Sequence, residues 1–582
     1  MMSLFLLAVF APVIVSPLLF ILSAKGRKIV MSIYIIGLLY LAFSLLSNPG
    51  LGSYTFFSTS LFQLESKLTL LSFSEHPYSI IAAFGFLFVG AIGLLYGLDV
   101  SKAGEQAIAL GAIASAVGVA FADNFLTFLF FWELLTLTTS TLIFLRQTPF
   151  AVRMAYRALF FSLVSGFLLT VGILLQFNAT GTFELMYPVA GLPFFILGIG
   201  IKTAFLLLHF WVPWGYPAAS FPCSVLLAAL CTKVGVYAVA RILPPTPFIN
   251  TMGACMAIVA VTLALLQSDL RRLLSYHIIS QVGYMVAGVG LGATLGVDGG
   301  LLHLVNHMIY KALLFMSAGA LIFAVGTEDL HELHDPAEKP EATGKVAVWK
   351  TLPVAFIGAV VGALAISGTP LFNGYVSKYL LKTAMHGTNP AEWMLMVASV
   401  GTALSFSKFV YFGFIKGRGK ILRKLTGTMQ AAILILSASC IVTGIWPRLL
   451  APILPGASSL QVYSAEGVKI AGGLVVLGIL IFILLAGTLE KETKFAFPLQ
   501  FSMKIKELDT GFSRGFSNAV DNLYYSSIHL LRSFDYKPLK TQVQRFFNFN
   551  NFNFGVMMLM LMLGIAVVFL LYLQWGIFGA GV

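Results

Sequence analysis

The sequence is short of charge. Only 10% of its 582 residues are Asp, Glu, Lys or Arg, while 58% are hydrophobic. Such a chain has too little polar surface for a water-soluble fold. Apolar runs of about 20 residues, the length that crosses a bilayer, recur from end to end. Cysteine is scarcer still. Cys223, Cys231, Cys255 and Cys440 lie in apolar segments, none in a Cys-x-x-Cys pair. That argues against a disulfide framework, an iron–sulfur site or a zinc site. No cofactor, metal or catalytic residue is expected on this chain. Acids are also few, 23 against 36 Lys and Arg, for a net charge of +13. The excess does not point to nucleic acid, because most of it sits in short loops between apolar runs, the pattern of membrane topology.

The expected fold is an all-α polytopic membrane protein. The apolar start, Met1 to Leu22, has no basic stretch before it and reads as a retained first helix. About sixteen spans are predicted, near 2–22, 29–47, 77–98, 105–122, 124–145, 154–176, 189–210, 219–242, 249–267, 273–292, 298–324, 352–381, 393–415, 428–447, 467–488 and 554–576. When the loops are numbered, 26 of the 36 Lys and Arg fall in odd loops and 5 in even ones. This places the odd loops in the cytoplasm of a cell membrane and both termini outside. Residues 490–552 differ. Ile505, Leu508, Phe512, Phe516, Val520, Leu523, Ile528 and Leu531 recur at helical spacing with Lys504, Lys506, Arg514 and Arg532 between them. That is an amphipathic helix lying along a surface, long enough to reach about 60–70 Å. It is either a lipid-interface linker to the last span, 554–576, or a strap packed along neighbouring subunits.

The remaining Lys lie inside spans. An ion at membrane depth costs roughly 2.5–3.5 kcal/mol on insertion scales and usually faces a partner or a polar path. Lys202 and Lys233 flank a segment, Trp211 to Pro222, whose Pro213, Gly215 and Pro217 are expected to break the seventh span. Gly368, Pro370 and Gly374 are expected to break the twelfth, next to Lys378, and Lys408 follows in the thirteenth. The two sets are five spans apart, and an odd offset inverts one unit relative to the other. Broken helices in corresponding places point to the ion site of an inverted-repeat transporter. The division is helices 1–3 in 1–104, one five-helix repeat in 105–242, its inverted partner in 249–415, and helices 14–15 in 428–488.

Glu133 reads as the one acid well inside a span. An unpaired carboxylate there favours its neutral form, and a nearby lysine favours the ionised one. It is a relay candidate or half of a structural ion pair. Lys202 and Lys233 could snorkel only if a helix end were near, and each lies about nine residues from one. His303, His307 and Lys311 follow i, i+4, i+8 spacing and share one helix face. Stacked His and Lys suit a proton wire. Two His at that spacing could also begin a metal site, but no third ligand shares the face. His277 could join the wire or be a hydrogen-bonded core residue, and His209 beside the first break is in the same position. Lys378 is placed toward the outer side. Lys408, near the basic run 416–424, could snorkel or relay. The loop 327–342, with His331 and His334 among acids, reads as solvated.

Six stretches together carry a resemblance: FWELLTLT around Glu133, GIKTAFLLLHFWVP around Lys202, TKVGVYAVAR around Lys233, DLRRLLSYHIISQVGYM around His277, HLVNHMIYKALLFMSAGA around Lys311 and SGTPLFNGYVSKYLL around Lys378. Over roughly 100–415 the chain resembles the antiporter-like subunits of respiratory complex I and the D-type subunits of Mrp sodium/proton antiporters, including those of archaeal membrane-bound hydrogenase and sulfane sulfur reductase complexes. The resemblance implies inverted five-helix repeats, broken seventh and twelfth helices and a polar central axis. It implies that Glu133 and Lys202 form a pair of modulated separation, that Lys233 passes the proton on, and that His303, His307, Lys311 and Lys378 continue the path. The lateral helix and final span are similar to the strap of the distal complex I subunit. The implied activity is transport of protons, or of sodium and protons, in a non-redox subunit of an oxidoreductase complex. The implied partners are other membrane subunits, including antiporter-like ones along the lateral helix, and the bilayer. The alternative is a subunit of a stand-alone Mrp antiporter. One stretch departs: where the family often reads Trp-Leu-Pro-Asp-Ala-His, this chain has Trp211-Val-Pro-Trp-Gly-Tyr216, without the acid and histidine.

Overall fold

The computed structural model describes residues 2–47, 54–59, 68–333, 345–387, 390–450, 454 and 461–491. Nearly all of the expected lateral helix, 490–552, and the whole final span, 554–576, lie outside the described residues, as does His334. Within them the chain is mostly helical. Eleven helices are long and apolar enough to cross a membrane, and three shorter apolar ones accompany them.

In chain order the helices are α1 (Met2–Ile21), α2 (Ala24–Ser47), α3 (Pro77–Gly97), α4 (Ala103–Phe121), α5 (Phe125–Phe144), α6 (Pro149–Thr180), α7 (Leu192–Thr203), α8 (Trp211–Ala218), α9 (Phe221–Ile242), α10 (Pro247–Leu265), α11 (Leu270–Leu291) and α12 (Thr294–Val325). The short α13 (Leu330–Leu333) and α14 (Val348–Thr351) precede α15 (Pro353–Ser367), α16 (Asn373–Met385), α17 (Pro390–Val410), α18 (Gly427–Ile445) and α19 (Ala465–Lys491). Their limits follow local chemistry. Asn124, Thr148, Thr246, Asp269 and Thr426 each accept a backbone N–H at a helix start. Gly181, Gly292 and Gly326 end α6, α11 and α12 in the left-handed region. α3, α9, α11 and α12 form the interior, and α9 is buried along almost its whole length. The all-helical expectation misses a small antiparallel hairpin, β1 (Tyr54–Thr59) with β2 (Leu68–Phe73), between α2 and α3. Alternation in segments of six residues leaves little signal beside the long apolar runs.

Both expected breaks exist, and the first is displaced. α7 stops at Thr203 and α8 begins at Trp211, so the gap is 204–210, with Ala204 and Leu207 at φ 63° and 69°. Pro213, Gly215 and Pro217, expected as the breakers, lie inside α8. Pro213 occupies its first turn, where a missing N–H costs nothing because those donors have no intrahelical partner. Pro217 falls in its last turn. Lys202 therefore sits at the very end of α7 instead of nine residues before the break. The second break follows expectation more closely. α15 ends at Ser367, Gly368 and Leu371 have φ 82° and 76°, and α16 starts at Asn373. Gly368 and Pro370 lie in the gap. Gly374 is the second residue of α16, where a Cβ would overlap the Ala365 carbonyl oxygen, so only glycine lets the two half-helices come this close.

Candidate proton-transfer axis

Lys202, Lys233, His277, His303, His307 and Lys311 are each 0% exposed. None of them snorkels. They lie on α7, α9, α11 and α12, helices packed side by side through the interior.

The axis begins on α5. One carboxylate oxygen of Glu133, Oε1, is buried without a hydrogen-bond partner among the described residues. The carboxylate lies directly over Gly166 of α6, where a Cβ would overlap it. The expected pairing with Lys202 is not a direct ion pair among the described residues. Lys202 Nζ instead donates to the Trp132 carbonyl at 3.0 Å and to Thr136 Oγ1 at 2.8 Å, and lies 4.5 Å from the centre of the Trp132 ring. Trp132 is held in turn. Its Nε1 donates to Ser165 Oγ at 3.2 Å, and Ser165 Oγ donates to the Gly198 carbonyl at 2.6 Å. Thus α5, α6 and α7 share one hydrogen-bonded seat, with Glu133 and Lys202 side by side in it. At the break, Trp211 Nε1 donates to the Ile201 carbonyl at 2.9 Å, which also accepts the Ala204 N–H at 3.1 Å. His209 lies within the gap, 4% exposed, with its ring against Phe210.

Lys233, midway along α9, donates to the Ala228 carbonyl and to Thr232 Oγ1, both on its own helix. On α12, His307 has no hydrogen-bond partner on either ring nitrogen among the described residues, and neither has Lys311 Nζ. Lys311 Nζ lies 5.4 Å from the centre of the Phe406 ring, a favourable site for a cation. His303 is fully engaged. Its Nδ1 pairs with Ser377 Oγ at 2.8 Å, and its Nε2 lies 3.2 Å from Gln281 Oε1 and 3.3 Å from the Tyr310 hydroxyl. Tyr310 bridges the two histidines, its ring centre 5.3 Å from that of His307 and 6.2 Å from that of His303. Past Ser377 the same helix presents Lys378. Its Nζ donates back across the break to the Ile366 carbonyl at 2.8 Å, near the end of α15, and lies 4.9 Å from the Tyr284 ring centre. A cation at a helix C-terminus meets open carbonyls and the negative end of the dipole.

Two candidates stand to one side. His277 Nε2 pairs with Ser405 Oγ at 2.7 Å, and its ring rests on Phe406. Lys408 Nζ donates to the carbonyls of Leu265 at 3.0 Å and Gln267 at 2.7 Å. It closes the C-terminal end of α10.

Several buried polar groups escape a reading of the sequence. Glu133 is not the only deep acid, because Asp298, the fifth residue of α12, is 0% exposed. Arg271, counted as a loop charge, is 1% exposed and makes a bidentate pair with Glu328 from the loop read as solvated. Arg271 Nη1 also donates to the Ala219 carbonyl at 2.9 Å, and Arg146 Nη1 reaches the same carbonyl and that of Pro217. The two guanidinium groups thereby close the C-terminal end of α8. Trp214, which stands where the family often has Asp, lies 4.1 Å from the Arg272 guanidinium. Burial pushes the Asp269 carboxyl upward, and neighbouring Glu328 adds to the effect. Gln281, Ser377, Thr136 and Tyr284 complete the axis as partners. Single Ser, Thr, Gln or Tyr residues in apolar helices carry no pattern that would single them out.

The sequence of this chain is similar to hydrogenase-4 component B of Escherichia coli, 24% identical over 67% of this chain and 66% of that protein. It is 30% identical to NAD(P)H-quinone oxidoreductase chain 5 of Synechocystis, over 54% of this chain and 50% of that one. The chain thus spans from half to just under two thirds of the length of these relatives. Its fold matches a chain of the Mrp complex of Dietzia, with a TM-score of 0.68, 19% identity and coverage of 81% of this chain and 99% of that one. It also matches a chain of the membrane-bound sulfane sulfur reductase, an archaeal respiratory membrane complex, at 0.65 and 20%, over 82% and 99%. The family described as NADH:quinone oxidoreductase/Mrp antiporter, transmembrane, matches residues 122–405, which include every residue of the axis from Glu133 to Lys378. Over that segment the chain is similar to this family, and its repeated helices of membrane-crossing length make it a multi-pass membrane protein.

Proposed function

We propose that this chain is a proton-translocating, antiporter-like membrane subunit of a multi-subunit respiratory-type oxidoreductase and that it contributes no redox group of its own. The observation that carries the reading is the succession of Lys202, Lys233, His307, Lys311 and His303, all fully buried, with the half-buried Glu133 and Lys378 at its ends, across packed helices. A fold maintained for packing alone has no use for seven titratable groups at membrane depth, each of which is costly there. His307 and Lys311, without fixed partners among the described residues, are the ones best placed to exchange protons with their neighbours. Lys202 and Glu133 serve as the switch. They share the Trp132–Ser165 seat without a direct bond, so a charge change in a neighbouring subunit that moves the carboxylate alters how tightly Lys202 keeps its proton. Lys233 then receives that proton and hands it to the α12 group. Lys378 is the release point, toward the side that the loop charges assign to the outside, with the odd loops cytoplasmic.

His277 is a side branch, and Lys408 is assigned to helix capping. A sodium/proton exchange in a stand-alone Mrp assembly is the second reading, supported by a match to the Na(+)/H(+) antiporter subunit A1 of Staphylococcus epidermidis at 26% identity. The deciding experiment uses the assembled complex in sealed vesicles, with turnover driving acidification. Lys202→Ala and Lys311→Ala are expected to leave assembly intact and to abolish proton movement. Normal acidification in either variant would remove that residue from the path.

A further inference from the structure

Away from the axis, a crevice of about 550 Å³ runs between α15, α17 and α19. Val360 and Leu364 form one wall and Ile479 and Phe482 the other, with Phe406 and Tyr411 at its floor. The lining is almost wholly apolar. Phe406 also touches the His277 ring and the Lys311 ammonium, so it lines the crevice and borders the axis. At Tyr411–Ile415 the last turn of α17 widens into a π-helical turn, and both of its end residues line the crevice. Immediately beyond come Lys416, Arg418, Lys420, Arg423 and Lys424, all exposed, with Lys416 Nζ 5.9 Å from the centre of the Tyr411 ring. The apolar slot thus ends at the turn from which this run of five exposed cations leaves, with Lys416 beside its Tyr411.

We propose that this crevice is a specific site for one anionic phospholipid, with an acyl chain lying against Phe406 between α15, α17 and α19 and its phosphate held by the basic run 416–424. The chemistry matches at both ends. The slot offers apolar walls continuous with the bilayer, and a basic cluster beside a transmembrane helix attracts acidic headgroups. A neutral phospholipid satisfies only the first half, and a soluble anion only the second. The site is independent of whether protons move along the axis.

The test is native mass spectrometry of the complete, assembled protein, delipidated in mild detergent and titrated with phosphatidylglycerol or phosphatidylcholine of identical chains. The wild type is expected to retain one phosphatidylglycerol at least tenfold more tightly than phosphatidylcholine. Lys416→Gln, Arg418→Gln and Lys420→Gln together, all on an exposed surface, should erase that preference without changing thermal stability. Val360→Trp should fill the slot and displace both lipids. Equal retention of the two lipids by the wild type would overturn the headgroup site, and unchanged retention in Val360→Trp would overturn the chain site. Failure of the wild type to retain either lipid would mean that another part of the protein fills the crevice, and would overturn the proposal as a whole.

Discussion

Gly166 faces the Glu133 carboxylate so closely that the smallest side chain would collide with it. The colliding atoms are the far end of a flexible side chain, not backbone. Gly166→Ala should therefore rotate the carboxylate out of its seat and leave the helices in place. The expected outcome is a melting temperature within a few degrees of wild type together with a marked drop in turnover-driven acidification. A large loss of stability with transport intact would instead make the glycine a packing residue and weaken the role given to Glu133. Lys408 shows the reverse relation between position and role. In the expected repeat it would correspond to Lys233, yet its ammonium donates to two carbonyls at the end of α10. Lys408→Gln, which can still donate, is expected to keep both transport and fold. Loss of transport in that variant at unchanged stability would return Lys408 to the path.

At the scale of elements, the breaks are what make the axis possible. An unbroken helix satisfies its own carbonyls, whereas a break leaves acceptors that buried cations can use. Lys378 takes one at the end of α15, and at the end of α7 Trp211 adds a second donor to the Ile201 carbonyl. The short α8 needs its own closure, which Arg271 and Arg146 supply. Arg271 is the more exacting of the two because it is also paired with Glu328, whose side chain is 24% exposed. Removing one partner of such a pair strands the other charge, so Arg271→Gln should destabilise the protein by roughly 2–4 kcal/mol, the lower end reflecting the partial exposure of Glu328. The double variant Arg271→Met with Glu328→Met should recover much of that loss. Thermal unfolding in detergent measures both. A single variant as stable as wild type would show that the pair contributes little to holding α8.

Elements also show how far the sequence can be read. The spans were legible because apolar runs of membrane length are long signals, and their ends carry Pro, Thr, Asn, Asp and Gly in the expected places. The second break was legible through Gly368 and Pro370. The first was not, because Pro213, Gly215 and Pro217 carry the usual marks of a breaker while Ala204 and Leu207, which do adopt the left-handed conformation, carry none. Alanine and leucine rarely adopt positive φ, so local propensity does not announce a break there.

For the molecule as a whole, the similarity to the matched family, the fold shared with chains of Mrp and respiratory complexes and the polar axis support the proposed antiporter-like subunit. Affinity purification of the intact protein from its source membranes separates the two proposed settings. Co-purification of iron–sulfur and hydrogenase-like subunits is expected. Recovery of small antiporter subunits alone would favour the stand-alone assembly.

What the sequence determined by itself was the solvent and the cast of residues. Scarce charge and repeated apolar runs require a bilayer, and ions placed inside those runs, at a cost of a few kcal/mol each, mark the candidates for a path. Glu133, Lys202, Lys233, His303, His307, Lys311 and Lys378 were all found on that ground. Only the tertiary structure decided which of them meet and what each one touches. It separated Glu133 from direct contact with Lys202, set Lys408 to capping α10, and turned Arg271 and Glu328 from loop charges into a half-buried staple. The physical reason is that the cost of burying a charge depends on composition along the chain, whereas its partners are carbonyls, hydroxyls and rings contributed by helices far away in sequence.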